Sequence, residues 1–352
     1  MNRLLFYLLI FFVFTMLQSC ATTKKTMMRH DPLIGRTINT TTGQTVDFNM
    51  LIKNINAYDV IYLSEKHDNP EHHNIQQKII HQLIKNNMQI TIGFEFFSMD
   101  NTPDLLNFID AGKVEHSKKI EKIIEADLRR KLNWDRQSDQ MWKYYFDFLK
   151  IAQKEKFQVA GIDLANNLIK RITRKGINGI SSIEKEMIFS TRPSDFSTKQ
   201  ADKIYKDYMS SIFKAVHCGM GNEKMQSKLY DAWTARNDKI ALSITQLVKH
   251  SNGPVIIIIG GGHTEYGLGV INRVQAIDKT ISQVNIALQE ISTNPTDLSE
   301  YLEPLELQGF EPVPPADFIW FTQRVSYKDP CKEFKKSLKK MKKHQTSIKE
   351  KS

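Results

Sequence analysis

Four short apolar runs in this 352-residue chain each end in groups able to move protons or bind cations. The first runs into Ser64-Glu65-Lys66-His67-Asp68, and the second ends at Glu95. The third ends at Asp163, and the fourth in Gly260-Gly261-Gly262-His263-Thr264. Carboxylates arriving beside imidazoles are the raw material of general acid–base catalysis. After the first run, Asn69 is placed to cap a helix whose first position is Pro70, so His72 and His73 fall in its first turn. The positive end of the helix dipole disfavours an imidazolium there, so both rings are expected to be neutral, the form that binds metal. Three glycines before His263 let the backbone turn sharply or approach a ligand closely. The run Gly260–Gly267 has the wrong spacing for a dinucleotide fingerprint, and no P-loop lysine follows it. No G-x-S-x-G elbow occurs, which argues against an ordinary serine hydrolase.

The elements that must position these groups follow from periodicity. Asp59–Leu63, Gln89–Glu95, Phe157–Ile162, Pro254–Ile259, Val284–Ile291 and Phe318–Phe321 read as strands. Helical spacing covers Gln77–Lys85, Trp142–Glu155 and Lys239–Lys249. Strands apolar on both faces and separated by helices predict an α/β fold with a mostly parallel sheet covered by helices. The polar, helix-favouring stretch from about Leu164 to Val248 reads as a helical insertion over the carboxyl ends of the strands. Ligands of open parallel sheets bind at those ends, so the four polar clusters are expected on one rim.

The flanks read differently. Asn2 and Arg3 precede an apolar run from Leu4 to Phe14, too short for a comfortable membrane span, so residues 1–19 read as a secretory signal. The run ends in Leu17-Gln18-Ser19-Cys20, and residues 20–32 read as a tether to a single domain over residues 33–327. The formal net charge is +10, but ten Lys against three acids lie in residues 328–352, and four basic residues lie in the first 29. The body is therefore close to neutral, which excludes a basic nucleic-acid groove. The Lys-rich end reads as solvated or disordered, with a weak amphipathic character from Phe334 and Leu338. Apart from Cys20, the chain has Cys218 and Cys331, which can pair in an oxidising compartment if the fold brings them together. No zinc-type Cys/His spacing is present.

Ser64-Glu-Lys-His-Asp-Asn-Pro-Glu-His-His73 resembles the G-E-x-H-D-N-x-x-H-H signature of the ChaN haem-binding lipoproteins, within the Tiki/TraB/erythromycin-esterase-like group. Gly93–Phe97, Trp134–Tyr145, Val159–Leu168, Asp231–Ala241, Ile259–Val270 and Ala316–Thr322 extend the resemblance over roughly residues 55–322. Two departures stand out: Ser64 replaces the first Gly, and Asp163-Leu-Ala-Asn166 replaces an Asn–Pro loop. The Leu17–Cys20 segment resembles a lipobox, which implies lipidation of Cys20, and Ala21 fits sorting to the bacterial outer membrane. The resemblance implies a membrane-anchored protein assisting haem and iron uptake, with an outer-membrane haem transporter as partner and a homodimer around the haem. Axial candidates by side-chain type are His67, His72, His73, Tyr144, Tyr145, His263 and Tyr266. The wider group implies an alternative hydrolase. In it His67, Glu95 and His263 hold a divalent metal, with Glu65 or Glu95 as general base, or His67 activates water unaided.

Overall fold

The computed structural model describes residues 30–86, 88–112, 117–189 and 199–349. Cys20, the signal segment and most of the tether lie outside the described residues. Eight strands form one sheet: β1 (Thr37–Asn39), β2 (Thr45–Val46), β3 (Val60–Glu65), β4 (Thr91–Ser98), β5 (Gln158–Asp163), β6 (Val255–Gly260), β7 (Gln283–Glu290) and β8 (Phe318–Thr322). Their order is β2-β1-β8-β7-β3-β6-β4-β5. The strands from β3 to β8 pair in parallel, and only β1 runs antiparallel, to both β2 and β8. The α/β class with a mostly parallel sheet is thus what the molecule adopts. The β1 and β2 pair was not expected.

Alternation along the buried strands sorts two cores. Ile61, Leu63, Ile92, Phe94, Ile256 and Ile258 point to one face. There they meet α1 (Phe48–Ile55), α2 (Pro70–Lys85) and α5 (Asp139–Glu155) through Leu51, Ile79 and Phe148. Val60, Tyr62, Val255, Ile257 and Ile259 point to the other. Both faces being dry is why these strands read as unbroken apolar runs. On the first face, α3 (Thr102–Ala111) and α4 (Lys118–Lys131) also contribute Leu105 and Leu128. Gly161 of β5 is required by close approach, since a Cβ there would lie 2.0 Å from the Ser98 carbonyl oxygen.

The expected insertion comprises α6 (Asn166–Lys175), α7 (Ser182–Phe189), α8 (Lys199–Val216) and α9 (Glu223–His250). The last is more than a cap. Its Ile240, Ala241 and Ile244 pack on the second face of the sheet beside α10 (Val270–Ile277), through Val270 and Val274. Its earlier turns pack instead with α6 and α7, through Ala232, Ala235, Ile172 and Ile188. A short α11 (Leu298–Leu302) precedes β8.

The C-terminal segment differs from the expected solvated end. It forms α12 (Pro330–Lys349), started by Asp329, whose carboxylate accepts from the Cys331 N–H at 2.8 Å. A Cys218–Cys331 disulfide ties its first turn to the turn that follows α8, and Phe334 meets the His217 ring. A covalent link across 113 residues supplies the fixing that two apolar side chains cannot. Among the described residues, no helix is long and apolar enough to cross a membrane.

Candidate functional site

Glu65, the last residue of β3, lies opposite Gly260, the last residue of β6. Parallel pairing therefore delivers the two polar clusters side by side. Asn69 caps α2 through the Glu71 N–H at 2.9 Å, and Pro70 opens the helix, as expected. The buried Glu65 carboxylate gathers donors from three directions. His67 Nδ1 donates to Oε1 at 3.0 Å, the Tyr145 hydroxyl donates to the same oxygen, and Gln76 Nε2 donates to Oε2 at 2.8 Å. Burial works to raise the Glu65 pKa, but the His67 hydrogen bond and the neighbouring imidazoles outweigh it, and the group stays ionised. Burial likewise opposes charging His67, yet the Glu65 hydrogen bond and the Glu95 and Glu65 charges raise its pKa.

The second cluster centres on Glu95 of β4. Its Oε1 accepts from Arg236 Nη2 at 2.6 Å and lies 3.2 Å from His263 Nε2. Its Oε2 accepts from the Gly260 N–H at 2.6 Å. Burial pushes the Glu95 pKa up, and the His263 and Arg236 charges more than reverse this, leaving it well below the usual carboxylate range. Arg236 also donates through Nε to Asp163 Oδ2 at 2.8 Å. Asp163 nonetheless titrates above the usual carboxylate range, because burial dominates. His263 donates through Nδ1 to Asn237 Oδ1 at 2.5 Å and stacks on Trp233 at 4.1 Å. The His67 ring edge bridges the two clusters: a Cβ on Gly260 would stand 2.7 Å from its Cε1 and 3.4 Å from Glu95 Oε2. No larger residue fits that position without moving one of them.

Glu65, His67, Glu95 and His263 therefore share one rim. The other candidates separate by what their polar atoms already do. His72 is fully buried: its Nδ1 accepts from the Lys66 N–H at 2.9 Å, and its Nε2 meets the Thr322 hydroxyl at 2.8 Å. Burial pushes its pKa down to about 3, so the ring is neutral but has no free nitrogen, which removes it as a ligand. His73 donates through Nε2 to the His67 carbonyl at 2.9 Å, with Nδ1 3.3 Å from Glu65 and its ring stacked on Tyr144. Burial and the Glu65 charge hold the Tyr145 phenol neutral, as a donor. The Tyr144 hydroxyl accepts from Gln140 Nε2 at 2.6 Å. Tyr266 is half-buried with left-handed backbone (φ 56°) and lines a cleft of about 1110 Å³ with Tyr205, Arg273 and Phe310, none of them from the clusters described above.

The expected metal set does not assemble as one. Among the described residues, no three His, Cys, Asp or Glu are grouped to hold an ion. Arg236 accounts for this, because its Nη2 already holds the Glu95 Oε1 that faces His263. Arg236, Asn237 and Trp233 are site residues that strand-end reasoning missed, since they come from α9. A signal existed: Asn237 shares a helical stripe with Ala241 and Ile244, a polar residue on an apolar stripe.

The family model described as haem-binding uptake, Tiki superfamily, ChaN matches residues 51–274. No curated protein matches the sequence. Among solved structures, the chain is similar to ChaN of Campylobacter jejuni, described as showing cofacial haem binding. The identity is 20% and the TM-score 0.58, over 81% of this chain and 95% of that one. It is also similar to a mutant erythromycin esterase in its open conformation, at 13% identity and TM-score 0.41, over 80% and 81% of the two chains. A protein from Bacillus cereus gives 14% identity and TM-score 0.38, over 70% of each chain.

Proposed function

Because the chain belongs to the haem-binding uptake family of the Tiki superfamily typified by ChaN, we propose that it binds haem on the carboxyl rim, with His67 as the axial ligand. One observation carries the choice of residue. His67 Nε2 has no hydrogen-bond partner among the described residues, while Nδ1 is held by the Glu65 carboxylate. A carboxylate on the far nitrogen fixes the tautomer and raises ligand basicity, the arrangement common to metal-binding histidines. Its side chain is 39% exposed and rests edge-on against Phe96, with Nε2 on the edge that faces Gly260. When bound there, haem would supply the iron that this nitrogen ligates.

His67 is absent from the lining of three clefts of about 1110, 740 and 650 Å³ among the described residues. A second copy of the chain closing over the haem supplies a wall, in keeping with the cofacial arrangement named for the Campylobacter jejuni protein. Lipidation at Cys20, placement at the bacterial outer membrane and delivery to a haem transporter complete the reading, supported by the Leu17–Cys20 segment. Haemin titration of the purified chain tests it. A saturable Soret shift that weakens at least tenfold in His67→Ala, but not in Tyr266→Phe, is expected. An unchanged titration in His67→Ala would reject the ligand assignment. No Soret shift with the parent chain would reject haem binding.

A second reading, hydrolysis of an ester, is favoured by Arg236. Its Nη1 has no partner among the described residues, and the side chain is 24% exposed. An imidazole base with an orienting carboxylate thus shares the rim with an open cationic donor. In that reading His67 Nε2 takes a proton from water as the oxygen attacks the carbonyl carbon, and Arg236 stabilises the oxyanion. His67 then returns the proton to the departing alkoxide. Turnover of activated esters that is lost in both His67→Ala and Arg236→Met would support it.

A further inference from the structure

The most strongly charged element outside the site is α12. We propose that its lysine face docks on an anionic lipid bilayer. Eight of its residues are Lys and one is Glu, against a body close to neutral, so the largest concentration of positive charge lies there. The described side chains sort by face. Lys332, Lys335, Lys336 and Lys339 are exposed, whereas Cys331, Phe334 and Leu338 are half-buried. Spacing of three and four residues places the second set along one stripe, toward the His217 ring that Phe334 meets and the Cys218 sulfur to which Cys331 is bonded. The apolar side is thereby committed to the body. The basic side is directed outward from a base that cannot swing freely, because the Cys218–Cys331 bond and the Asp329 cap hold its first turn.

That geometry favours a lipid surface over other polyanions. Clusters of four to eight Lys on an amphipathic helix meet anionic headgroups as a point-charge layer, each Lys adding to the attraction without needing a shaped groove. Single-stranded nucleic acids call for a basic groove with aromatic faces for base stacking, and the exposed side chains described on α12 include no aromatic one; duplex DNA is an outcome of the test below. Lys336 is partly neutralised by Glu333 at 2.8 Å, which leaves Lys332, Lys335 and Lys339 as the principal contacts among the described side chains.

The test uses the chain from residue 20 onward with Cys20→Ser, so that neither an acyl anchor nor the apolar Leu4–Phe14 run contributes, and sedimentation with vesicles. Vesicles of phosphatidylcholine with about a third phosphatidylglycerol should retain the protein at low salt, and pure phosphatidylcholine vesicles should not. Half-molar salt should release it. The triple change Lys332→Glu, Lys335→Glu and Lys339→Glu should weaken retention roughly a hundredfold or more. Its haemin titration should match the parent, so that failure here is distinct from failure of the haem reading. Equal retention of parent and triple variant would overturn the proposal. So would retention on neutral vesicles, no retention on anionic ones, or tighter binding to duplex DNA than to anionic vesicles at the same salt.

Discussion

Replacing Glu95 with Gln keeps the shape of the rim and removes its central charge. The consequence can be worked from three contacts. In the parent, Oε1 faces Arg236 at 2.6 Å and His263 at 3.2 Å, and Oε2 accepts from the Gly260 N–H at 2.6 Å. An amide has one oxygen and one donor group. If the oxygen stays on Gly260, the new NH2 faces the guanidinium. If it turns to Arg236, the buried Gly260 N–H faces another donor. The first arrangement is the milder, because His263 can accept through Nε2 while still donating through Nδ1 to Asn237. Arg236 then loses one charged partner but keeps Asp163 at 2.7 Å. Breaking a buried ion pair by removing one partner costs roughly 3–5 kcal/mol. The retained Asp163 contact and the part-exposed Arg236 bring the expected loss to about 2 kcal/mol. That corresponds to a Tm lower by about 5 °C. Differential scanning calorimetry and haemin titration on the same sample measure both effects. Haem affinity should fall only modestly, since the ring of His67, the proposed ligand, is oriented by Glu65. A variant that melts with the parent and titrates identically would show that Glu95 bears no load at the rim.

Haem affinity should rise with pH through the raised His67 pKa, because the proton must leave Nε2 before iron can bind. Titrations at pH 6 and pH 8 that agree would contradict His67 ligation. Acid should destabilise the fold in stages. His72, depressed to about 3, contributes stability that is complete above its unfolded value near 6.5 and is lost as pH falls from there toward 3, and Glu65 and Glu95 add losses below about 4.5. Urea midpoints that stay flat between pH 7 and pH 4 would refute this. Reducing the Cys218–Cys331 bond, which closes a loop of 113 residues, should cost roughly 2–4 kcal/mol and leave haem titration unchanged. Cys20→Ser should weaken membrane retention in cells to the level that α12 alone sustains, while the purified domain melts as the parent does; full detergent-resistant retention of the exported variant would argue against a lipid anchor.

The parallel strands were legible because each carries a short, largely buried apolar run, clearest in Val255–Ile259, which is dry on both faces. β1 and β2 were not, since three and two residues with exposed Thr45 leave no periodicity to find. Rim membership of Glu65, His67, Glu95 and His263 followed from strand ends alone. Arg236 and Asn237 did not, because a helix residue reaches the rim only through a packing angle that spacing does not encode. Residue type also left His72 and His67 equal. What separates them is the Lys66 N–H and the Thr322 hydroxyl, partners set by the tertiary fold. The α12 helix was hidden for a similar reason, its fixing point being a cysteine 113 residues upstream.

The strand order carries a consequence for how the chain is born. β3 and β4 are separated in the sheet by β6, and the other edge of β3 waits for β7. Until Val255–Gly260 leaves the ribosome, β3 has neither neighbour, β4 has only β5, and the two halves of the rim have nothing to join them. A nascent chain of some two hundred residues thus presents bare, apolar strand edges, the species that holdase chaperones protect and that otherwise pair between molecules. The late arrival of one strand sets the pace of maturation, and the rim of Glu65, His67, Glu95 and His263 cannot exist before His263 has been made.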